Sequence, residues 1–133
     1  LVNVCFSGKY TEADIKKMIA GKGGLSALLG TNNAKEVSER AAAGDEKAKL
    51  IYEAMAYQVA KTIGEYAVVL DGKVDAILIT GGIAYDKKFV EMIEKKVKFI
   101  AEVIVYPGED ELLALAQGGL RVLNIKEAAK EYK

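Results

Sequence analysis

Residues 74–80, Val-Asp-Ala-Ile-Leu-Ile-Thr, hold four apolar side chains in succession, Ala76 to Ile79, and run into Gly81-Gly82. An alternating strand covers one face; an unbroken apolar run of this length reads as a parallel strand covered on both. The segment that follows, from about Asp86 to Val97, places Phe89, Val90, Ile93 and Val97 at helical spacing. Ile100 to Tyr106 is a second apolar run, stopped by Pro107-Gly108. Strand, glycine loop, helix and strand in this order predict a βαβ unit with a right-handed crossover. The chain is therefore expected to be α/β, a single domain of few parallel strands flanked by helices.

Upstream, helices are expected over about 12–20, 34–42 and 46–70, started by Thr11, by Asn32 or Asn33, and by Asp45. In the longest of them, Ala48, Ile51, Met55, Val59, Ile63, Ala67 and Leu70 make one stripe that predicts the buried face, while Ala54, Ala56, Ala60 and Gly64 allow a neighbour to come close. Residues 1–7 read as a helix end or a strand, with Cys5 a small core residue beside Val4 and Phe6. Tyr10, Tyr52 and Tyr57 are expected to pack. Residues 110–123 carry leucines around much of a helix, which then needs cover on several sides, and a short amphipathic helix is expected over 125–132. Two strands do not make a stable sheet. Either the N-terminal segments add strands or further strands lie outside these 133 residues; the second option agrees with a first residue that is Leu1 rather than Met.

Composition excludes several functions. Lys plus Arg and Asp plus Glu both number 19, so no basic surplus points to nucleic acid. No apolar run approaches the roughly 18 residues of a membrane span. With no histidine, imidazole chemistry is excluded for this chain. One cysteine permits no internal disulfide, which fits a cytoplasmic location.

In open α/β sheets ligands bind beyond the carboxyl ends of the strands. There, Gly81-Gly82 removes two β-carbons, so a flat ring can lie on backbone, and the following helix offers free N–H groups to an anion. The alternative is a tight turn that needs positive φ. The pair fits neither the dinucleotide fingerprint nor a Walker A loop.

Residues 79–89, ITGGIAYDKKF, resemble the adenosine motif of the acetate and butyrate kinases, members of the sugar kinase/Hsp70/actin superfamily. Ala84, Tyr85 and Asp86 stand where acetate kinases carry Gly-Glu-Asn, a departure that favours the butyrate and branched-chain members. LVNVCFSGKYT with GKGGLSALLGTN behind it, DEKAKLIYEAMAYQVAKTIG, and VYPGEDELLALAQGGLRVL resemble further family segments, in the family's order and spacing. The resemblance covers essentially the whole chain.

It implies the C-terminal, nucleotide-binding part of an actin-like (ribonuclease H-like) lobe, in a kinase that uses ATP to phosphorylate butyrate or a branched-chain acid. Gly81, Gly82 and Ile83 would form the adenine floor, with Ala84 and Tyr85 beside it. Asn33, Ala34 and Lys35 match a D-x-R segment that lies along the nucleotide, with Asn for Asp and Lys for Arg; the alternative is a capped surface helix. Glu109, Asp110 and Glu111 fall near a metal-associated glutamate and would hold Mg²⁺ through water; the alternative is acidic charge favoured at a helix start. The family's phosphate loops, catalytic arginine and acyl pocket come earlier in the chain and have no counterpart here. The resemblance thus predicts a lobe inactive alone, with ATP or ADP and Mg²⁺ as cofactors, a short-chain carboxylate bound through the missing part, and a homo-oligomer. The rival reading is an assembly module with no nucleotide binding or activity of its own.

Overall fold

The computed structural model of the chain describes residues 2–108 and 110–130. In order, the elements are helices α1 (Val2–Cys5), α2 (Glu12–Ile19), α3 (Gly24–Leu29), α4 (Ala34–Ala42) and α5 (Glu46–Val69), strand β1 (Ala76–Gly81), a 3-10 turn (Gly82–Tyr85), helix α6 (Lys87–Val97), strand β2 (Glu102–Pro107) and helix α7 (Glu111–Leu123). Local chemistry explains several of the boundaries. Thr11 and Asp14 form a reciprocal capping box at α2. Asn33 accepts from Lys35 N and Glu36 N, and Asp45 from Ala48 N, so each satisfies donors that a first helical turn leaves free. Hydrogen bonds from Ala48 N and then from Arg40 hold the Asp45 carboxyl below its ordinary range.

The strands pair in parallel, Ile77 opposite Val103 and Ile79 opposite Val105. α6 links them, as the βαβ reading requires. Phe89, Val90, Ile93 and Val97 are all buried, as their spacing predicts. With Ile77 of β1 and Val37 of α4, Phe89, Ile93 and Val97 close a core against α5, with Ile79 and Val103 packed at its margin.

The buried face of α5 is a correction. The residues inside are Ala48, Tyr52, Ala56 and Ala60, while Val59 and Leu70 of the expected stripe are exposed and Met55 and Ile63 are half-buried at the margin. α4 and α6 both pack on α5. The small Ala48, Ala56 and Ala60 with Tyr52 make the face turned inward, which leaves the larger aliphatic side chains at the edge.

The second correction concerns β1. One face carries Ile77 and Ile79 into the core, but Leu78, on the opposite face, is 63% exposed, and Tyr106 across from Thr80 is 60% exposed. Cover on both faces is not supplied by the described residues. Nor do the N-terminal segments add strands; residues 2–5 are helical. Cys5 is exposed, as is Phe6, since none of the described residues covers this first turn, so the core reading of Cys5 does not hold. Tyr10 and Tyr57 are exposed too, Tyr57 lying beside the ammonium groups of Lys61 and Lys96. Helix α7 buries none of its residues, and Leu112 and Leu123 stand almost free. Residues 125–130 form a turn, bends and irregular chain instead of the expected last helix; 131–133 lie outside the described residues.

Candidate functional site

Two walls meet beyond the carboxyl end of β1. The first is the start of α4. Asn33 precedes its first turn, and Ala34, Lys35, Ser38 and Glu39 follow on one face at helical spacing. The second is the segment after β1, where Gly82, Ile83 and Tyr85 of the 3-10 turn lead to Asp86. Together with Asn32, these residues line a cleft of about 560 Å³, within the range of small-molecule sites. The cleft thus brings together Asn33, Lys35, Gly82, Ile83 and Tyr85 among the residues singled out from the sequence.

Gly81 and Ala84 sit differently. Gly81 ends β1 with φ 84° and ψ −177°, a region that only glycine occupies without strain. Among the described residues the left-handed glycines include Gly81 but not Gly82. The two readings of the glycine pair therefore divide between its members: Gly81 makes the turn, and Gly82 faces the cleft. Ala84 is 3% exposed and packs inward behind the turn, away from the cleft lining.

The free N–H groups expected at the start of the next helix are not open to an anion. Asp86 is the N-cap of α6, and its Oδ1 accepts from Phe89 N at 3.2 Å. A carboxylate already occupies the place where the helix dipole would attract a phosphate. Its Oδ2 accepts a hydrogen bond from the Tyr52 hydroxyl, and that hydroxyl accepts one from Ser38 Oγ at 3.3 Å. Burial pushes the Asp86 carboxyl up, but these hydrogen bonds outweigh it and hold the group below its ordinary 3.8. Burial and then the bond to Asp86 push the Tyr52 phenol from 10.0 to about 12.

Asp110 and Glu111 line a separate cleft of about 500 Å³, with Thr80, Gly81, Tyr106 and Gly108. Asp110 stands at the N-cap of α7 but makes no capping bond with its side chain. Glu109 lies outside the described residues. Among the described residues no three acidic, cysteine or histidine side chains converge as metal ligands. Two neighbouring carboxylates, Asp110 without a capping bond, still suit a hard cation that keeps most of its water, as Mg²⁺ does. Tyr85 joins the two clefts: its side chain lines the first, and its hydroxyl would lie 3.6 Å from a β-carbon at Gly108, which itself would be 3.9 Å from Asp110 Oδ2.

Sequence reasoning missed Ser38, Glu39 and Asp86 as cleft residues and read Tyr52 as packing alone. The available signal was spacing: Ser38 and Glu39 follow Ala34 and Lys35 by one helical turn.

The acetokinase family profile matches residues 4–125. The chain belongs to the acetokinase family. It is 62% identical, over all 133 residues, to butyrate kinase 2 of Clostridium acetobutylicum, of which it spans 37%. Its fold is that of acetate and propionate kinases. It superposes on a crystal structure of Porphyromonas gingivalis acetate kinase with a TM-score of 0.75 at 22% identity, covering 88% of this chain and 36% of that one. A propionate kinase from Francisella tularensis gives 0.69 at 25% identity, covering 84% of this chain and 34% of that one. This acetokinase-family chain thus spans little more than a third of each of these relatives.

Proposed function

We propose that this chain supplies the adenosine-binding part of an ATP-dependent kinase that converts a short carboxylate, butyrate or a branched-chain acid, into its acyl phosphate. The observation that carries the reading is the convergence of the α4 start and the Gly82–Asp86 segment on one cleft of nucleoside size. Butyrate as acceptor rests on the 62% identity to a butyrate kinase.

The cleft's chemistry suits the uncharged end of the nucleotide. Lys35 is its one cation, and Glu39 Oε1 lies 3.9 Å from the Lys35 ammonium. Asp86 adds a second carboxylate and closes the start of α6. Ile83 and the backbone at Gly82 offer a floor for a base; Asn32, Asn33, Ser38 and Glu39 offer partners for ribose hydroxyls and ring nitrogens. The phosphates then extend past Tyr85 toward Asp110 and Glu111, which would hold Mg²⁺ through water. That ion supplies charge neutralisation to phosphoryl transfer, a reaction that depends mainly on positioning and electrostatics. The acceptor pocket and the phosphate contacts belong to the remainder of the kinase, so the chain alone has no turnover. The unpaired Cys5 agrees with a reducing, cytoplasmic setting.

Calorimetric titration tests this directly. Adenosine and Mg-ADP should both bind the 133-residue chain, Mg-ADP the more tightly through Asp110 and Glu111. Gly82→Val should abolish both. Binding of neither ligand to the parent chain rejects the reading.

A second role is favoured by the open faces of α7 and the sheet, where Leu112, Leu115, Leu123 and Leu78 are exposed. Apolar surface of this extent promotes association. Sedimentation should show self-association that Gly82→Val leaves intact and Leu112→Glu with Leu115→Glu reduces.

A further inference from the structure

We infer that Tyr52 is a positioning residue for the adenosine cleft, its hydroxyl tying the two walls together through Ser38 and Asp86. The inference rests on the nucleotide reading of the cleft. Tyr52 is on α5 and is 5% exposed. It does not line the cleft, yet both of its hydrogen-bond partners do. Ser38 belongs to the α4 wall and donates to the hydroxyl; Asp86 ends the opposite wall and accepts from it. Ser38 also acts directly on the Asp86 carboxyl, lowering it through a hydrogen bond, so Tyr52, Ser38 and Asp86 form one three-way link between α4 and the segment after β1.

Packing alone does not require this arrangement. A buried phenol is satisfied by one partner. Here it has two, one from each wall of the cleft. Asp86 is held at both oxygens, by Phe89 N–H and by Tyr52. Its own N–H donates to Ile83 O at 3.0 Å. The place of Asp86 therefore sets that of the 3-10 turn, and with it the distance between Gly82 and the first turn of α4. Loss of the hydroxyl leaves the ring free to pack on Phe89, where the centroids are 5.4 Å apart, while the walls lose their common anchor.

The experiment is a double-mutant cycle on the full chain, using Tyr52→Phe, Ser38→Ala and both, with adenosine affinity measured by calorimetry well below each thermal midpoint. Tyr52→Phe should weaken adenosine by about three- to tenfold, the worth of one or two net hydrogen bonds. Ser38→Ala should weaken it in the parent and weaken it less in the Tyr52→Phe background, since the three groups act as one link. Without ligand, the amide resonances of Gly82 and Ile83 should shift in Tyr52→Phe, a signature that a general loss of stability in a still-folded chain does not produce. Affinity equal to the parent's in Tyr52→Phe, or additive effects in the cycle, overturns the positioning role while the nucleotide reading stands. A parent chain that binds neither adenosine nor Mg-ADP overturns both.

Discussion

Replacing Gly81 by alanine isolates a backbone cost from every packing cost. Gly81 holds φ 84° and ψ −177° at the end of β1. A β-carbon built there meets no atom within 4 Å. The substitution therefore creates no clash with neighbours, and what remains is the strain of an L-residue in a glycine-only region, about 1–3 kcal/mol. For 133 residues, an unfolding entropy of about 2.1 cal/mol/K per residue gives roughly 0.28 kcal/mol/K, so each kcal/mol moves the midpoint by about 4 °C. Gly81→Ala should then melt about 4–11 °C below the parent in a circular-dichroism or calorimetric scan. Gly64 is the opposite case. It lies inside α5, and a β-carbon there also meets nothing within 4 Å. Gly64→Ala should raise the midpoint by about 2–4 °C, since glycine in a helix interior costs about 0.5–1 kcal/mol relative to alanine. A Gly81→Ala chain that melts with the parent, or that moves in the same direction as Gly64→Ala, refutes the conformational argument.

Phe89→Ala should cost about 3–5 kcal/mol in urea unfolding, because the side chain is 2% exposed and leaves a cavity against Tyr52; a loss under about 1.5 kcal/mol contradicts the packing described. In alkali, one of the seven tyrosines should ionise late. The Tyr52 phenol is raised from 10.0 to about 12, so its contribution to stability is complete below pH 10 and is lost as pH rises toward 12. Absorbance titration should show this late phase in the parent and not in Tyr52→Phe. At the acid end the sign reverses: the lowered Asp86 carboxyl stabilises the fold above its ordinary value of 3.8, and that contribution disappears as pH falls through the depressed value. Asp86→Asn should flatten the acid limb of the stability curve.

The chain's local chemistry is plain in its sequence. Thr11, Asn33 and Asp45 stop at the helix starts they cap, and Gly30 and Gly44 stand just past the ends of helices. The step from Ile79 through Gly81-Gly82 to Phe89 is enough to place a strand, a turn and a helix. The family resemblance rests on the same local strings, and the family match over residues 4–125 agrees with it. Such features depend on a residue and its neighbours within one helical turn, so one-dimensional spacing carries them.

Orientation was decided elsewhere. α5 is apolar enough to bury more than one stripe, and the packing of α4 and α6 on it selected the face with Tyr52, Ala56 and Ala60. In β1 every side chain from Ala76 to Ile79 is apolar, so no alternation marks which way the strand faces; packing against α5 and α6 put Ile77 inside and left Leu78 exposed. The leucines of α7 read as buried because hydrophobicity records only that a surface can be covered, whereas cover requires a partner, and none lies over α7 among the described residues. The cleft shows the same limit. Asn33 and Gly82 were legible one at a time, but the hydroxyl that joins Ser38 to Asp86 comes from Tyr52, which is 14 positions from one and 34 from the other. The sequence by itself determined the caps, the βαβ unit and part of each wall, Asn33 and Lys35 on one and Gly82, Ile83 and Tyr85 on the other, because these are local. Tertiary structure alone determined which faces are buried and how the walls are joined, because a hydrogen bond between distant residues exists only once the chain has closed.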